Sequence, residues 1–430
     1  MRRFVLLGLG ILISPASILA DEGVCHGDAF VEQVYEGATE ACAVVVRHFD
    51  DDGEWDIAVA NLFGSGNGVT VYRGDGCGSF ILDTIYTVPG GPRAIDSVDF
   101  DGDEDWDIVV VGFSNGLASV LLNNGDGTFA APVQYEAGRF TVAVRAGDLD
   151  GINGPDIVAA SHNTDRVTVL LNQGDGTFAA AVGYPAGDGT GGIALADVDG
   201  DTDLDVLATN RSDGTVSVLL NDGNGVLGPP TNYAVGNDAY ALDAGDLDGI
   251  NGPDIAALDR SGTTVNILLN QGDGTFSDAV SYAVGQGAFA VQIGDLNEDG
   301  LLDVAVPNGT DGTVAVLLNR GDGSFQDARF HDAGGGAYDV GIADLDGDRD
   351  ADMVVPNRND STVSVLMSSC VAGDMDCDGD VDHDDWRLFA PCLTGPGRQV
   401  LDGCERADAD GDTDADLADA DALFRSFGGL

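Results

Sequence analysis

The chain has 430 residues, with 74 Asp and Glu against 18 basic residues, every one of them Arg, and a formal charge of -56. A field of that sign repels phosphate backbones and anionic lipid surfaces, which excludes nucleic-acid or membrane-surface binding through bulk charge and makes cations the natural counterparts. The hydrophobic share of 43% belongs to a chain with a packed core, not to an acidic disordered one.

Residues 1–20 read as an export signal. Arg2 and Arg3 precede an apolar run from Phe4 to Ile13, and Pro15 and Ala20 lead to Asp21. The run is too short to span a bilayer. A secreted or cell-surface protein is expected, with no membrane insertion after the signal is cleaved.

Residues 21–371 are organised by one acidic nonapeptide that returns seven times, closing at Asp56, Asp107, Asp156, Asp205, Asp254, Asp303 and Asp352; after a first step of 51 residues every later step is 49. A period this strict, filled with short apolar runs, predicts propeller blades. In the sixth copy the apolar runs give strand A at Val291 and Ile293, strand B at Val304 and Val306, strand C from Val314 to Leu318, and strand D after Phe325. The Gly-Asp-Gly turn before Phe129, Phe178, Phe276 and Phe325 supplies the positive backbone angle of a tight hairpin, and the Phe after it is expected in the core. The seventh unit stops after Met367, while Phe30 to Tyr35, followed by Gly37, follow the strand D order of Phe129, Tyr135 and Gly138. The N-terminus is therefore expected to complete the last blade and leave no free sheet edge. Cys25 and Cys370 would lie near each other at that seam, although disulfide connectivity does not follow from sequence.

The sixth nonapeptide runs Asp295, Leu296, Asn297, Glu298, Asp299, Gly300, Leu301, Leu302, Asp303. Side-chain oxygens at positions 1, 3, 5 and 9, with a backbone carbonyl at 7, can wrap one hard cation. Without it, two carboxylates about 4 Å apart repel by ~4 kcal/mol at an effective dielectric near 20. Carboxylate and amide donors on a short irregular loop point to Ca²⁺ rather than Mg²⁺. Solvated acidic turns are the bland alternative, weakened by the recurrence at one phase of the repeat. The second copy (Asp99, Asp101, Asp103, Asp107), the fourth (Asp197, Asp199, Asp201, Asp205), the sixth (Asp295, Asn297, Asp299, Asp303) and the seventh (Asp344, Asp346, Asp348, Asp352) keep all four side-chain ligands. The third keeps Asp148, Asp150 and Asp156, and the fifth Asp246, Asp248 and Asp254, with Ile152 and Ile250 at position 5. These two sites are expected to be weaker unless Asn153 and Asn251 turn inward. The first begins with His48, followed by Asp50, Asp52 and Asp56, and is expected to hold an ion least well. Replacing a closing aspartate such as Asp303 is expected to cost stability only when calcium is present.

On these motifs residues 30–367 resemble the FG-GAP or VCBS repeats of integrin alpha-type seven-bladed propellers. The resemblance implies calcium loops between strands A and B on one face, partner binding by the B–C and D–A loops of the other, and extracellular recognition more often than catalysis. On that geometry His162, Arg211, Arg260 and Arg358, six residues after a closing Asp, and Arg93, Tyr240, Phe289 and Tyr338, fourteen before one, form a candidate partner-binding face. Basic and aromatic groups there favour an anionic or sugar-like partner. The alternative is packing between blades, with the arginines paired to acids such as Asp213 and Asp360.

Residues 372–430 change pattern. Asp374, Asp376, Asp378 and Asp385 fall at positions 1, 3, 5 and 12 of an EF-hand loop, and Asp408, Asp410, Asp412 and Asp419 repeat them. Two such loops, each followed by a predicted helix, resemble a dockerin-like domain, which implies a cohesin-like module as partner. His383 and Asp384, then Leu417 and Ala418, stand where type I dockerins carry a Ser/Thr pair. Cys392 and Cys404 are the candidate staple of this small domain, and Cys42, Cys77 and Cys377 are candidates for the unpaired thiol that seven cysteines leave.

No catalytic constellation emerges. His26, His48, His162, His331 and His383 are isolated from any plausible nucleophile and orienting acid, and the chain has no Lys. The expected fold is an all-β seven-bladed β-propeller with a small α-helical calcium-binding C-terminal domain. The expected function is a secreted calcium-binding protein mediating extracellular adhesion or protein or carbohydrate interaction. A polysaccharide-active lyase or glycoside hydrolase, or an accessory subunit of one, is the alternative.

Overall fold

The computed structural model describes residues 30–368 apart from 51, 63–67, 77 and 347–349. The export signal, the dockerin-like domain with its eight metal-ligand candidates, Asp348, and every cysteine except Cys42 lie outside the described residues. Cys42 is buried with a free thiol.

The described residues form seven antiparallel four-stranded sheets. Blade one has strand A at Ala41–Arg47, B at Asp56–Asn61, C at Gly68–Gly74 and D at Phe80–Thr87. Blades two to six repeat this order within consecutive sequence. Blade seven takes A, B and C from Gly341–Ala343, Asp352–Asn357 and Thr362–Met367, and its D strand is Val31–Glu36 from the other end of the chain. Val31 pairs with Met367 and Glu36 with Thr362, so the expected closure by the N-terminal strand is present.

Burial explains the sequence pattern of each strand. Strand B is buried on both faces because the sheets of its own and neighbouring blades cover it, and it reads as a continuous apolar run, as in Ile108 to Val111. Strand D is outermost, so its residues alternate between solvent and a Tyr turned inward, as in Val133–Glu136. The core is divided into apolar clusters that each span two successive blades. Within them the residue at loop position 2 meets the hairpin Phe of the next blade, Phe49 against Phe129 at 5.4 Å and Phe100 against Phe178 at 5.2 Å between ring centroids. The strand D Tyr of the first of those blades closes on the same ring, as Tyr86 does on Phe129 at 5.3 Å. Burying each such ring is worth about 1.5–3 kcal/mol. The hairpin Phe is thus a joint between blades, in the core as its sequence position predicts.

Because A–B and C–D hairpins turn at one end of each blade and the B–C and D–A loops at the other, the propeller has two chemically different faces. The acidic loops and the Gly-Asp-Gly hairpins share the first.

Candidate metal loops and the opposite axial mouth

Each acidic loop is built around its closing aspartate, which opens strand B and is fully buried. In blade two, Asp107 Oδ2 accepts the Phe100 N–H at 2.8 Å and Oδ1 accepts the Asn123 N–H at 2.7 Å. Asp156, Asp205, Asp254 and Asp303 make the same pair of bonds to loop position 2 and to the Asn two residues beyond the end of strand C. The closing residue therefore clamps the loop through the backbone, and replacing it costs stability with or without an ion. These bonds set a cost in both conditions against the sequence-based expectation of a cost only in calcium, a difference that mutation decides.

The next ligand candidates converge on that clamp. In each of blades two, three, four, five and seven, one carboxylate oxygen from each of positions 1, 3 and 9 lies within 4.8 Å of the others: Asp99, Asp101 and Asp107; Asp148, Asp150 and Asp156; Asp197, Asp199 and Asp205; Asp246, Asp248 and Asp254; Asp344, Asp346 and Asp352. Burial pushes Asp107 up to about 7, against two backbone donors that hold it down, and the Asp101 and Asp103 charges raise it further. Asp303 rises to about 7, and Asp156, Asp205 and Asp254 to about 6, by burial first in every case. Asp101 Oδ1 and Asp295 Oδ1 are buried and accept no hydrogen bond. An oxygen-only set with orphaned buried oxygens suits a hard divalent cation.

Position 5 behaves differently. Asp103 and Asp201 turn their Oδ1 atoms to the N–H groups of Asp105 and Asp203, at 3.1 and 3.0 Å, and stand outside the convergent sets. Ile152 and Ile250 at this position are exposed. Asn153 and Asn251 do not turn inward; their amides donate to the carbonyls of Asn172 and Asn270 in their own hairpins. In blade six, Asn297 Nδ2 donates to Asp299 Oδ2 at 3.2 Å and Asp295 Oδ2 accepts the Gly300 N–H at 3.0 Å. Loop position 6 is left-handed even where it is not Gly: Glu104 has φ 77° and Thr202 φ 80°. A Cβ there costs about 1–2 kcal/mol, and the carboxylates of Asp99 and Asp197 offset it by accepting the Glu104 and Thr202 N–H groups.

Blade one carries a different solution. Arg73, near the end of strand C, places Nη1 at 2.9 Å from both Asp50 Oδ2 and Asp56 Oδ2. The guanidinium thus sits between two of the expected metal ligands, and its other amino nitrogen donates to the Gly127 carbonyl of the next blade. Asp52 instead accepts the Glu54 N–H, and His48 stacks on Trp55 with Nδ1 at 2.8 Å from the Glu54 carbonyl. Asp50 and Asp56 therefore meet an arginine in the loop that the sequence marks as holding an ion least well. Leu122, Leu171, Leu220, Leu269 and Leu318 hold the place of Arg73 in blades two to six. That one off-pattern charge was the signal available in the sequence.

The loops also join blades. Asn172 Nδ2 donates to the Phe100 carbonyl of the preceding blade at 2.8 Å and to its own Pro155 carbonyl at 2.9 Å. Asn123, Asn221, Asn270 and Asn319 do the same, each reaching position 2 of the loop before it. Gly74 and Ser368 occupy this place in blades one and seven. Among the described residues the amide latch is therefore missing on both sides of blade seven.

On the opposite face, the residues fourteen before each closing Asp form a ring around the propeller axis: Cys42, Arg93, Val142, Gly191, Tyr240, Phe289 and Tyr338 all line one cavity of about 110 Å³. Arg93 crosses the mouth, donating from Nη2 to Tyr240 Oη of blade five at 2.6 Å. Tyr240 Oη and Tyr338 Oη are 3.0 Å apart, and Phe289 stacks on Tyr338 at 4.3 Å. Arg211 and Arg260 both lie over the Tyr240 ring at 4.6 Å and share one acid, Asp238, at 2.9 and 2.8 Å. Arg358 pairs with Glu40 at 3.5 Å. The expected acids Asp213 and Asp360 instead accept the N–H groups of Asp188 and Gly335. His162 stands apart from the mouth, with Nδ1 at 3.2 Å from the Gly189 carbonyl.

A family model described as an FG-GAP-like repeat matches residues 48–110, 99–151, 153–208, 197–249, 246–306 and 295–355. Among curated proteins no sequence matches. Solved structures with a similar fold include virginiamycin B lyase from Staphylococcus aureus, at 11% identity and TM-score 0.55 over 79% of this chain and 99% of that one. They also include a putative 6-phosphogluconolactonase from Bacteroides fragilis, at 17% identity and TM-score 0.57 over 74% of this chain and 92% of that one. At these identities the likeness is one of fold alone.

Proposed function

The chain belongs to the FG-GAP-like repeat family, and from that premise we infer that it is a secreted, calcium-stabilised propeller that binds a protein or carbohydrate partner outside the cell through its axial mouth. The observation that carries calcium is the pair of buried, unaccepting oxygens Asp101 Oδ1 and Asp295 Oδ1 in loops whose only strong donors are carboxylates and amides. The ion supplies positive charge at a point where positions 1, 3 and 9 would otherwise repel. Asp99, Asp101 and Asp107, and their counterparts in blades three, four, five and seven, would hold it. Asp295, Asn297 and Asp303 are the corresponding set in blade six. The two EF-hand-like loops at Asp374 to Asp385 and Asp408 to Asp419 extend the same chemistry into the C-terminal segment; a cohesin-like partner rests on the dockerin resemblance alone, from which His383, Asp384, Leu417 and Ala418 depart.

A recognition role is supported by the distribution of charge. In a chain of -56, arginines and aromatic rings gather at the mouth opposite the acidic loops, where they also tie blades to one another. The reading of a polysaccharide-active enzyme has no observation of that kind behind it: His48 and His162 each have Nδ1 near a backbone carbonyl.

Calorimetric titration of calcium into chelator-treated protein tests this function. At least five ions per chain are expected, one for each carboxylate cluster, with a rise in melting temperature of more than about 10 °C. Binding of two ions or fewer, or a melting temperature indifferent to calcium, would defeat it.

A further inference from the structure

We propose that the axial mouth is a carboxylate-binding pocket anchored by Arg93, taking a free organic acid or the acid group of a sugar. The proposal deepens the recognition role inferred above and rests on it.

Arg93 lies at the entrance of the cavity with its guanidinium among neutral groups: the Tyr240 hydroxyl and the faces of Phe113 and Tyr338, at 5.5 and 5.8 Å from the ring centroids. No carboxylate among the described residues comes within ion-pair distance of it. The one acid lining the same cavity, Asp339, directs Oδ2 at the Val44 N–H, 3.0 Å away. A largely enclosed guanidinium without a counter-charge is costly, and the economical partner for its planar fork is a carboxylate. Two hydroxyls and two further arginines stand around it. Arg211 and Arg260 divide a single carboxylate, Asp238, between them, and the cavity lining itself holds Arg93, Arg145 and Arg211 against one acid, Asp339. This is the reverse of the rest of the surface. Ring position also matters: Arg93 bonds to a blade three places round the wheel, so its side chain reaches across the ring of mouth residues. A cavity of about 110 Å³ accommodates the acid group and the few atoms beside it, so the rest of a larger partner would lie outside the cavity.

The test is calorimetry on the full chain in calcium, titrating acetate, galacturonate and the uncharged methyl galacturonate ester. Binding of acetate and galacturonate in the millimolar range, with the ester silent, is expected for carboxylate recognition. Galacturonate binding alone would assign the pocket to sugar acids. Arg93→Gln should weaken the acid at least about tenfold; because it also removes a packing group, Tyr240→Phe, which keeps the ring and deletes the hydroxyl that orients Arg93, should weaken it several-fold. Silence with both acids, equal binding of the ester, or unchanged affinity in both variants would overturn the pocket. Melting curves with and without calcium on the same samples separate the two readings: a calcium shift without acid binding fails the pocket alone, and no calcium shift fails the recognition scaffold beneath it.

Discussion

Blades one and two carry the same loop with two different cations in view. In both, the closing aspartate is buried and clamped by loop position 2 and by a backbone N–H at the end of strand C or just beyond it, Gly74 or Asn123. In blade one a guanidinium from strand C lies between Asp50 and Asp56; in blade two a leucine stands at that place, and Asp99, Asp101 and Asp107 face one another with one buried oxygen unaccepting. What the loop requires is positive charge at a fixed point, and the chain can supply it either from its own backbone register or from solution.

The largest effect should come from breaking the shared clamp. Asp107→Ala strands the buried Phe100 and Asn123 N–H groups, and a loss of about 3–4 kcal/mol is expected by urea denaturation in calcium and in chelator alike. A loss confined to calcium would return the closing aspartate to a purely ligating role. Next comes Arg73→Leu, which gives blade one the strand C residue of its neighbours and leaves Asp50 and Asp56 facing each other. Stability in chelator should fall by about 2–3 kcal/mol, and calcium titration should gain one ion; a fall with no added ion would show that an arginine and a metal are not interchangeable there. Asn172→Ala sharpens the comparison between blades, since it deletes an amide that ties the blade-two loop to blade three. A cost of about 1–2 kcal/mol is expected, with the calcium affinity of the blade-two loop reduced, and an unchanged affinity would uncouple loop from joint.

The smallest effect lies away from the metal face. Burial pushes Asp339 up to about 6, with the Val44 N–H and the Arg145 charge opposing the rise. Since the folded value exceeds the unfolded one, this group favours the fold most below about pH 4, and that contribution is lost as the pH rises through 6. Asp339→Asn should flatten the decline between pH 4 and 6 by about 1 kcal/mol, discounted because the side chain is only half-buried. An unaltered slope would mean that the carboxylate is as well solvated in the fold as in the unfolded chain.

The sequence made the architecture legible because it is a matter of phase. Equal spacing of Asp107 to Asp352 placed every strand, and the order of Phe30, Tyr35 and Gly37 identified the closing strand before any coordinates. Phase also gathered Arg93, Tyr240, Phe289 and Tyr338 on one ring. It could not say that Arg93 bonds across the axis to blade five, nor that Asp238 answers two arginines, since these contacts depend on side-chain length and direction between blades. Within the loops the same boundary appears. Residue type marked Asp103, Asp201 and Asn153 as donors to a cation, whereas local backbone N–H and C=O groups claim them first. Arg73 escaped notice because a strand register had to be known before its reach to Asp50 could be.

One consequence follows from how the last blade is closed. Val31 faces Met367 and Glu36 faces Thr362, so the chain enters and leaves this pair of strands at the same end. Tension between a tethered tail and the leading segment would load the clasp one rung at a time, beginning at Val31 and Met367, instead of shearing all six rungs together. The blade that lacks amide latches on both flanks is the one so loaded, and the wheel would come undone there while the acidic turns of its other spokes kept their shape.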